Sequence, residues 1–139
     1  MLFDLEATSD ALARLFRIIS IAELVELHLI DLRDQATEGF LRALSIHHCR
    51  FSHLRVLILT AVPVDQIFQY RQVIGLENFR ALFSNAFPLL RDVRLARLNP
   101  APLIEMLDEM VIWPMLQHVM YEGKIVNVRL PEHRRVSYR

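Results

Sequence analysis

The sequence predicts an α/β fold: a short, irregular solenoid of parallel strands with helices on its outer face. Three observations predict it. An apolar skeleton, aromatic-x-x-L-x-x-h-x-L-x-x-L with h any apolar residue, recurs along the chain. The spacing between copies fits one strand, one helix and two turns. Helical stripes of apolar residues fill the intervals.

The fullest copy is Phe87-Pro88-Leu89-Leu90-Arg91-Asp92-Val93-Arg94-Leu95-Ala96-Arg97-Leu98. A second runs from Phe51 through Leu54, Leu57 and Leu59 to Val62, and a third from Ile21 through Leu24, Leu27 and Leu29 to Leu32. Trp113 to Tyr121 carries a weaker one. The first Leu of each copy falls at 24, 54, 90 and 116, so the steps are 30, 36 and 26 residues. Self-similarity of this kind governs the fold more than any single motif.

Within a copy, L-x-x-h-x-L alternates inward and outward positions, as a strand does. Stacked in phase, the outward residues form three rows across a parallel sheet. One row is Glu26, Val56, Asp92, His118. The next is His28, Ile58, Arg94, Met120. The third is Ile30, Thr60, Ala96, Glu122.

Along the chain, Met1 to Leu5 reads as the tail of a strand. Thr8-Ser9-Asp10 offers an N-cap, and Leu12, Leu15, Phe16 and Ile19 form one helical stripe. The chain therefore reads as beginning inside a repeat. After the first full strand, Thr37 is placed to cap a helix that buries Phe40, Leu41 and Leu44. Val56 to Thr60 is the most β-prone stretch, stopped by Pro63. Asp65 to Ala86 accounts for the 36-residue step and is divided by Gly75 into two helices, Asp65 to Ile74 and Glu77 to Asn85. In the fourth unit Asn99 is the N-cap, and Leu103, Met106, Leu107, Met110 and Val111 form the buried stripe of a helix that Trp113-Pro114 ends. Gly123 turns the chain, and Ile125 to Leu130 alternates as a last strand. Residues 1–130 thus make one repeat domain of about four units, the first incomplete, and residues 131–139 a basic tail.

This pattern resembles the leucine-rich repeat, L-x-x-L-x-L-x-x-N/C-x-L. The long uneven units and the Phe87-Pro88-x-Leu90 entry resemble the repeats of F-box/leucine-rich-repeat proteins of the fungal type, over Ile21 to Glu122. Where the family carries a buried Asn or Cys, this chain has Leu32, Val62 and Leu98, which implies a looser array without an Asn ladder. The resemblance implies a protein–protein interaction module, the substrate-recognition part of an F-box-type ubiquitin-ligase receptor. The F-box itself is not among these residues.

Composition narrows the classes. Of 139 residues, 53% are hydrophobic, which argues against disorder. Sixteen basic residues balance sixteen acidic ones, so the basic excess of a general nucleic-acid binder is missing. One cysteine, Cys49, allows no internal disulfide and fits a reducing compartment, cytoplasmic or nuclear. No apolar run reaches the roughly 18 residues of a membrane span, and the acidic start is unlike a signal peptide.

Chemistry-bearing motifs are few. His47, His48, Cys49 and His53 are the one cluster of metal-ligating types, and their spacing matches no zinc motif. A small metal-dependent or thiol enzyme built on them is the alternative reading; a solvated helix end beside a small buried thiol is the plainer one. Phosphate-binding glycine loops, a G-x-S-x-G elbow and H-E-x-x-H are all absent from the sequence. No catalytic, cofactor or metal residue is therefore assigned. The outward rows are the candidate site, and the partner expected there is another protein. Apolar Ile30, Val56, Ile58 and Met120 are unusual on a purely solvated face. Open sheet edges also predict self-association, and a truncated repeat fragment without a role of its own is a third reading.

Overall fold

The computed structural model describes residues 9–128. Met1 to Leu5 and the tail from residue 131 onward, both read above from sequence, lie outside the described residues. Ten elements follow in order: α1 (Ser9–Ile21), β1 (Glu26–Ile30), α2 (Asp34–Ser45), β2 (Val56–Thr60), α3 (Val64–Ile74), α4 (Leu76–Ala86), β3 (Asp92–Ala96), α5 (Ala101–Glu109), β4 (His118–Tyr121) and β5 (Lys124–Ile125). The five strands form one sheet in the order β1-β2-β3-β4-β5. The first four are parallel, and β5 returns antiparallel on β4.

Three of the four units begin with the same turn. The Leu54 N–H donates to Phe51 O at 3.2 Å, Leu90 to Phe87 at 3.4 Å, and Leu116 to Trp113 at 3.2 Å. The aromatic-x-x-L spacing is thus a β-turn whose ends both point into the core. Phe51, Phe87 and Trp113 are 2%, 0% and 3% exposed. Phe51 stacks on Phe87 at 5.2 Å between ring centroids, and Trp113 meets Phe87 edge-on at 6.4 Å. Phe40 stacks on Phe87 at 6.4 Å and meets Phe16 edge-on at 5.4 Å. One aromatic spine therefore joins successive units, adding roughly 0.5–1.5 kcal/mol per ring pair to the burial of the rings. In the first copy, which has Ile21 in place of an aromatic, the Leu24 N–H donates instead to Ala22 O.

Strand entry repeats as well. A single carbonyl accepts two successive N–H groups from the next unit: Val25 from Arg55 and Val56, Arg55 from Arg91 and Asp92, Arg91 from Gln117 and His118. Strand exit repeats through a left-handed residue, Asp31 (φ 53°), Ala61 (φ 53°) or Arg97 (φ 56°). That residue tips the chain off the sheet and toward the next helix. The link from strand to helix is three residues long after β1 and after β2 (31–33 and 61–63).

The inward strand residues Leu29, Leu57, Leu59, Val93, Leu95 and Val119 are buried, and they share one core with Phe16, Phe40, Leu44, Phe83, Leu103 and Met106 of the helices. All helices with buried faces thus contribute to the same side of the sheet. Leu32 and Val62 are buried, and Leu98 packs partly against that core, in place of a polar ladder. The long connection holds α3 and α4 around Gly75 (φ 91°, ψ 153°), a conformation that glycine alone adopts readily. There Phe68, Phe79 and Phe83 form a second aromatic cluster.

Five local expectations are corrected. Thr37 does not cap α2: the helix starts at Asp34, and Thr37 lies in its first turns with its N–H bonded to Arg33 O. α5 ends at Glu109, so Met110 is extended and Val111 is 41% exposed, outside the buried stripe. Glu122 does not continue the third outward row. β4 stops at Tyr121, and Glu122 (φ 50°) with Gly123 (φ 80°) makes a two-residue turn between paired Tyr121 and Lys124. Two positive φ values are what a tight type I′ hairpin needs. The last strand is accordingly Lys124–Ile125 rather than a run to residue 130. The alternation persists beyond it, since Val126 and Val128 pack against the core while Ile125 and Asn127 are exposed. Asn99 is likewise not the N-cap of α5, which is Pro100; from one position earlier its Oδ1 accepts the Ala101 N–H at 3.1 Å. Among the described residues no helix is long and apolar enough to cross a membrane.

Candidate functional site

The outward rows are in register. Glu26 pairs with Val56, Val56 with Asp92, and Asp92 with His118. His28, Ile58, Arg94 and Met120 are aligned in the same way, as are Ile30, Thr60 and Ala96. These side chains share one face because they occupy alternate positions of parallel strands whose other faces carry the helices. Eleven of the twelve residues in the outward rows are brought together; Glu122, in the turn, is held at the rim.

Two hydrogen bonds cross the face. His118 Nδ1 lies 2.9 Å from Asp92 Oδ1, between neighbouring strands. His28 Nε2 lies 2.8 Å from Thr60 Oγ1. The hydroxyl–imidazole pair would need an orienting carboxylate to work as a nucleophile and base. Of the two carboxylates on these strands, Asp92 is engaged with His118, three strand spacings of about 4.8 Å from His28, and Glu26 makes no hydrogen bond to His28 among the described residues. The arrangement fits cross-strand pairing better than nucleophilic catalysis.

Ile58 and Val56 are half-buried at the centre of the face, Met120 is half-buried beside Arg94, and Ile30 is 52% exposed. Arg94 is exposed and forms no ion pair among the described residues. The face thus combines an apolar centre with an uncommitted guanidinium, which can accept a carboxylate from outside.

The cysteine and histidine cluster disperses. Cys49 is buried and its N–H donates to Ala43 O at 3.1 Å. His48 is exposed in a left-handed conformation (φ 50°), and His53 is exposed in the β-turn before β2. Among the described residues no three His, Cys, Asp or Glu side chains are placed to hold a metal ion.

Two features escaped the sequence reading. Loops from three units converge at the C-terminal ends of the strands around an open depression of about 530 Å³, lined in part by Arg33, Pro63, Asp65, Arg97 and Asn99. No contiguous motif marks it, because its walls come from three separate loops, at 32–33, 61–65 and 97–99. The other is the Arg97 N–H, which Glu122 Oε1 accepts at 2.8 Å. A turn glutamate bears no signature of that role. No family model, no curated protein and no solved structure matches this chain.

Proposed function

We propose that this chain is a leucine-rich-repeat-like solenoid whose open sheet face binds another protein. On its resemblance to F-box/leucine-rich-repeat proteins, it serves as the substrate-recognition part of a ubiquitin-ligase receptor. One observation carries the reading: Ile30, Val56, Ile58 and Met120 stand in register on the face opposite the helices, partly exposed, around Arg94. Scattered single apolar residues are ordinary on a surface, but an aligned group on a flat sheet is what an interface uses. The partner that fits is a protein segment bringing apolar side chains to Val56 and Ile58 and a carboxylate to Arg94. The close balance of acidic and basic residues favours a protein over nucleic acid.

The test replaces Ile58 and Arg94 together with Asp. The double variant is expected to keep the wild-type melting temperature within a few degrees and to lose a partner that wild type captures reproducibly. Both side chains point away from the core, so the fold tolerates the change. Undiminished capture by a folded double variant removes this face from consideration. The ligase role is read separately: the captured protein should persist longer in cells when the chain is depleted, and an unchanged half-life leaves a binding module without that role.

A further inference from the structure

The two edges of the sheet are unlike. β5 is two residues long and twists away through a tight hairpin, a common way of blunting an edge. β1 is five residues long and contains no Pro or Lys. The Asp31 N–H donates to Thr60 O, and Val25 O accepts the Val56 N–H. Odd-numbered residues of β1 therefore turn their N–H and C=O toward β2. By alternation, the N–H and C=O of Glu26, His28 and Ile30 face the open edge, and among the described residues no strand pairs with them.

The repeats supply an internal control for what this edge lacks. Leu54, Leu90 and Leu116 are 0%, 0% and 1% exposed, yet the equivalent Leu24 is half-buried. Leu57, Val93 and Val119 are 3%, 0% and 0% exposed, yet Leu27 is half-buried. Every other unit has a neighbouring strand on that side to complete the burial, and β1 has none among the described residues.

We propose that a second copy of this chain completes it, through antiparallel pairing of β1 with β1 about a two-fold axis at His28. The register is self-complementary. His28 exchanges both hydrogen bonds with its own copy, and Glu26 does so with Ile30. All of these are residues whose polar groups face the edge. The same register puts Leu27 opposite Leu29 of the other copy at the closer, non-hydrogen-bonded spacing, on the core side, where Leu27 is under-covered. Glu26 opposite Ile30 brings no like charges together. With one long edge among the described residues, the assembly closes as a dimer and does not extend into a fibre. The proposal stands independently of the function proposed for the sheet face.

Sedimentation velocity of the full chain across micromolar concentrations tests it. A monomer–dimer equilibrium is expected. His28→Pro removes the central edge N–H without touching a β1–β2 backbone hydrogen bond, at the loss of the His28–Thr60 side-chain contact, and edge strands tolerate proline. That variant should be monomeric with its far-ultraviolet circular dichroism retained. Ile30→Lys, which puts a charge on the edge and leaves the backbone alone, should weaken the dimer at least tenfold, and it decides the matter where the proline variant fails to fold. A wild-type monomer at every concentration overturns the proposal. So does a dimer that a folded edge variant leaves intact, or growth beyond the dimer.

Discussion

The backbone N–H of Arg97 donates to the Glu122 carboxylate at 2.8 Å, and this contact replaces a rung of the sheet. In the units before it the equivalent N–H groups find backbone carbonyls: Asp31 donates to Thr60 O at 2.9 Å, and Ala61 to Ala96 O at 3.0 Å. At the fourth strand the chain turns back through Glu122-Gly123, so the next carbonyl is not presented. The Glu122 side chain supplies the acceptor instead. The array ends without leaving its last strand-exit donor unpaired.

Glu122→Ala should therefore cost about 1 kcal/mol, the net value of a hydrogen bond to an exposed backbone donor. Glu122→Gln keeps a carbonyl oxygen at the same reach and should cost less than half as much. Urea denaturation measures both. Amide exchange locates the effect: the Arg97 N–H should lose protection in the alanine variant while the Ala61 N–H keeps its own. Equal protection of Arg97 in both proteins would show that the carboxylate is not its partner in solution.

Phe87 is the node of the aromatic spine. It is fully buried and touches Phe40, Phe51 and Trp113, whereas Phe51 has Phe87 as its ring neighbour among the described residues. Phe87→Ala should destabilise by about 3–5 kcal/mol, the range for emptying a ring-sized site in a packed core. Phe51→Ala should cost less, because fewer rings lose a neighbour. Phe87→Leu should cost no more than about half the alanine value. Chemical denaturation ranks the three, and a Phe51 variant as damaging as the Phe87 one would refute the ordering.

The strand positions and their register were legible because two periods coincide in the sequence. The alternation within L-x-x-h-x-L sets which residues face the helices, and the recurrence of the skeleton sets which residues lie side by side. Hence Ile58 next to Arg94 follows from phase alone. Helix boundaries were less legible because the link after a strand, not the cap, decides them. The left-handed Asp31 and buried Leu32 start α2 at Asp34, and a cap worth about 1 kcal/mol at Thr37 cannot move it. α5 stops short of its apolar stripe because Trp113 has to reach the aromatic spine. The turn at Gly123 was legible, but its tight two-residue hairpin was not, because Glu-Gly is a far weaker hairpin signal than Asn-Gly. The pairings His118–Asp92 and His28–Thr60 follow once the register is known, but composition alone does not announce them.

Thr37 carries a consequence of its displaced role. It is 2% exposed, and its hydroxyl has no hydrogen-bond partner among the described residues. A hydroxyl buried without a partner costs roughly 1–3 kcal/mol. Thr37→Val replaces it with a methyl of nearly the same shape and the same β-branching, so helix propensity changes little. The variant should be more stable by about 1 kcal/mol, raising the melting temperature by roughly 2–4 °C. Destabilisation on differential scanning calorimetry would mean that the hydroxyl has a partner in solution.

Ala61 tests the left-handed strand exit. It holds φ at 53°, the position that Asp31 and Arg97 hold at 53° and 56° in the neighbouring units. An L-residue with a Cβ pays about 1–2 kcal/mol there, and glycine pays almost none. Glycine in turn loses about 0.5–1 kcal/mol more backbone entropy on folding. The first term exceeds the second, so Ala61→Gly should be stabilising by up to about 1 kcal/mol, against the usual direction for that substitution. At Ala43, buried within α2, the same change should destabilise by at least 1 kcal/mol, since it adds lost helix propensity to a small cavity. Melting temperatures of the two variants, taken side by side, should move in opposite directions. A fall in both would mean that residue 61 does not occupy the left-handed region in solution, and that the shared strand exit does not extend through the second unit.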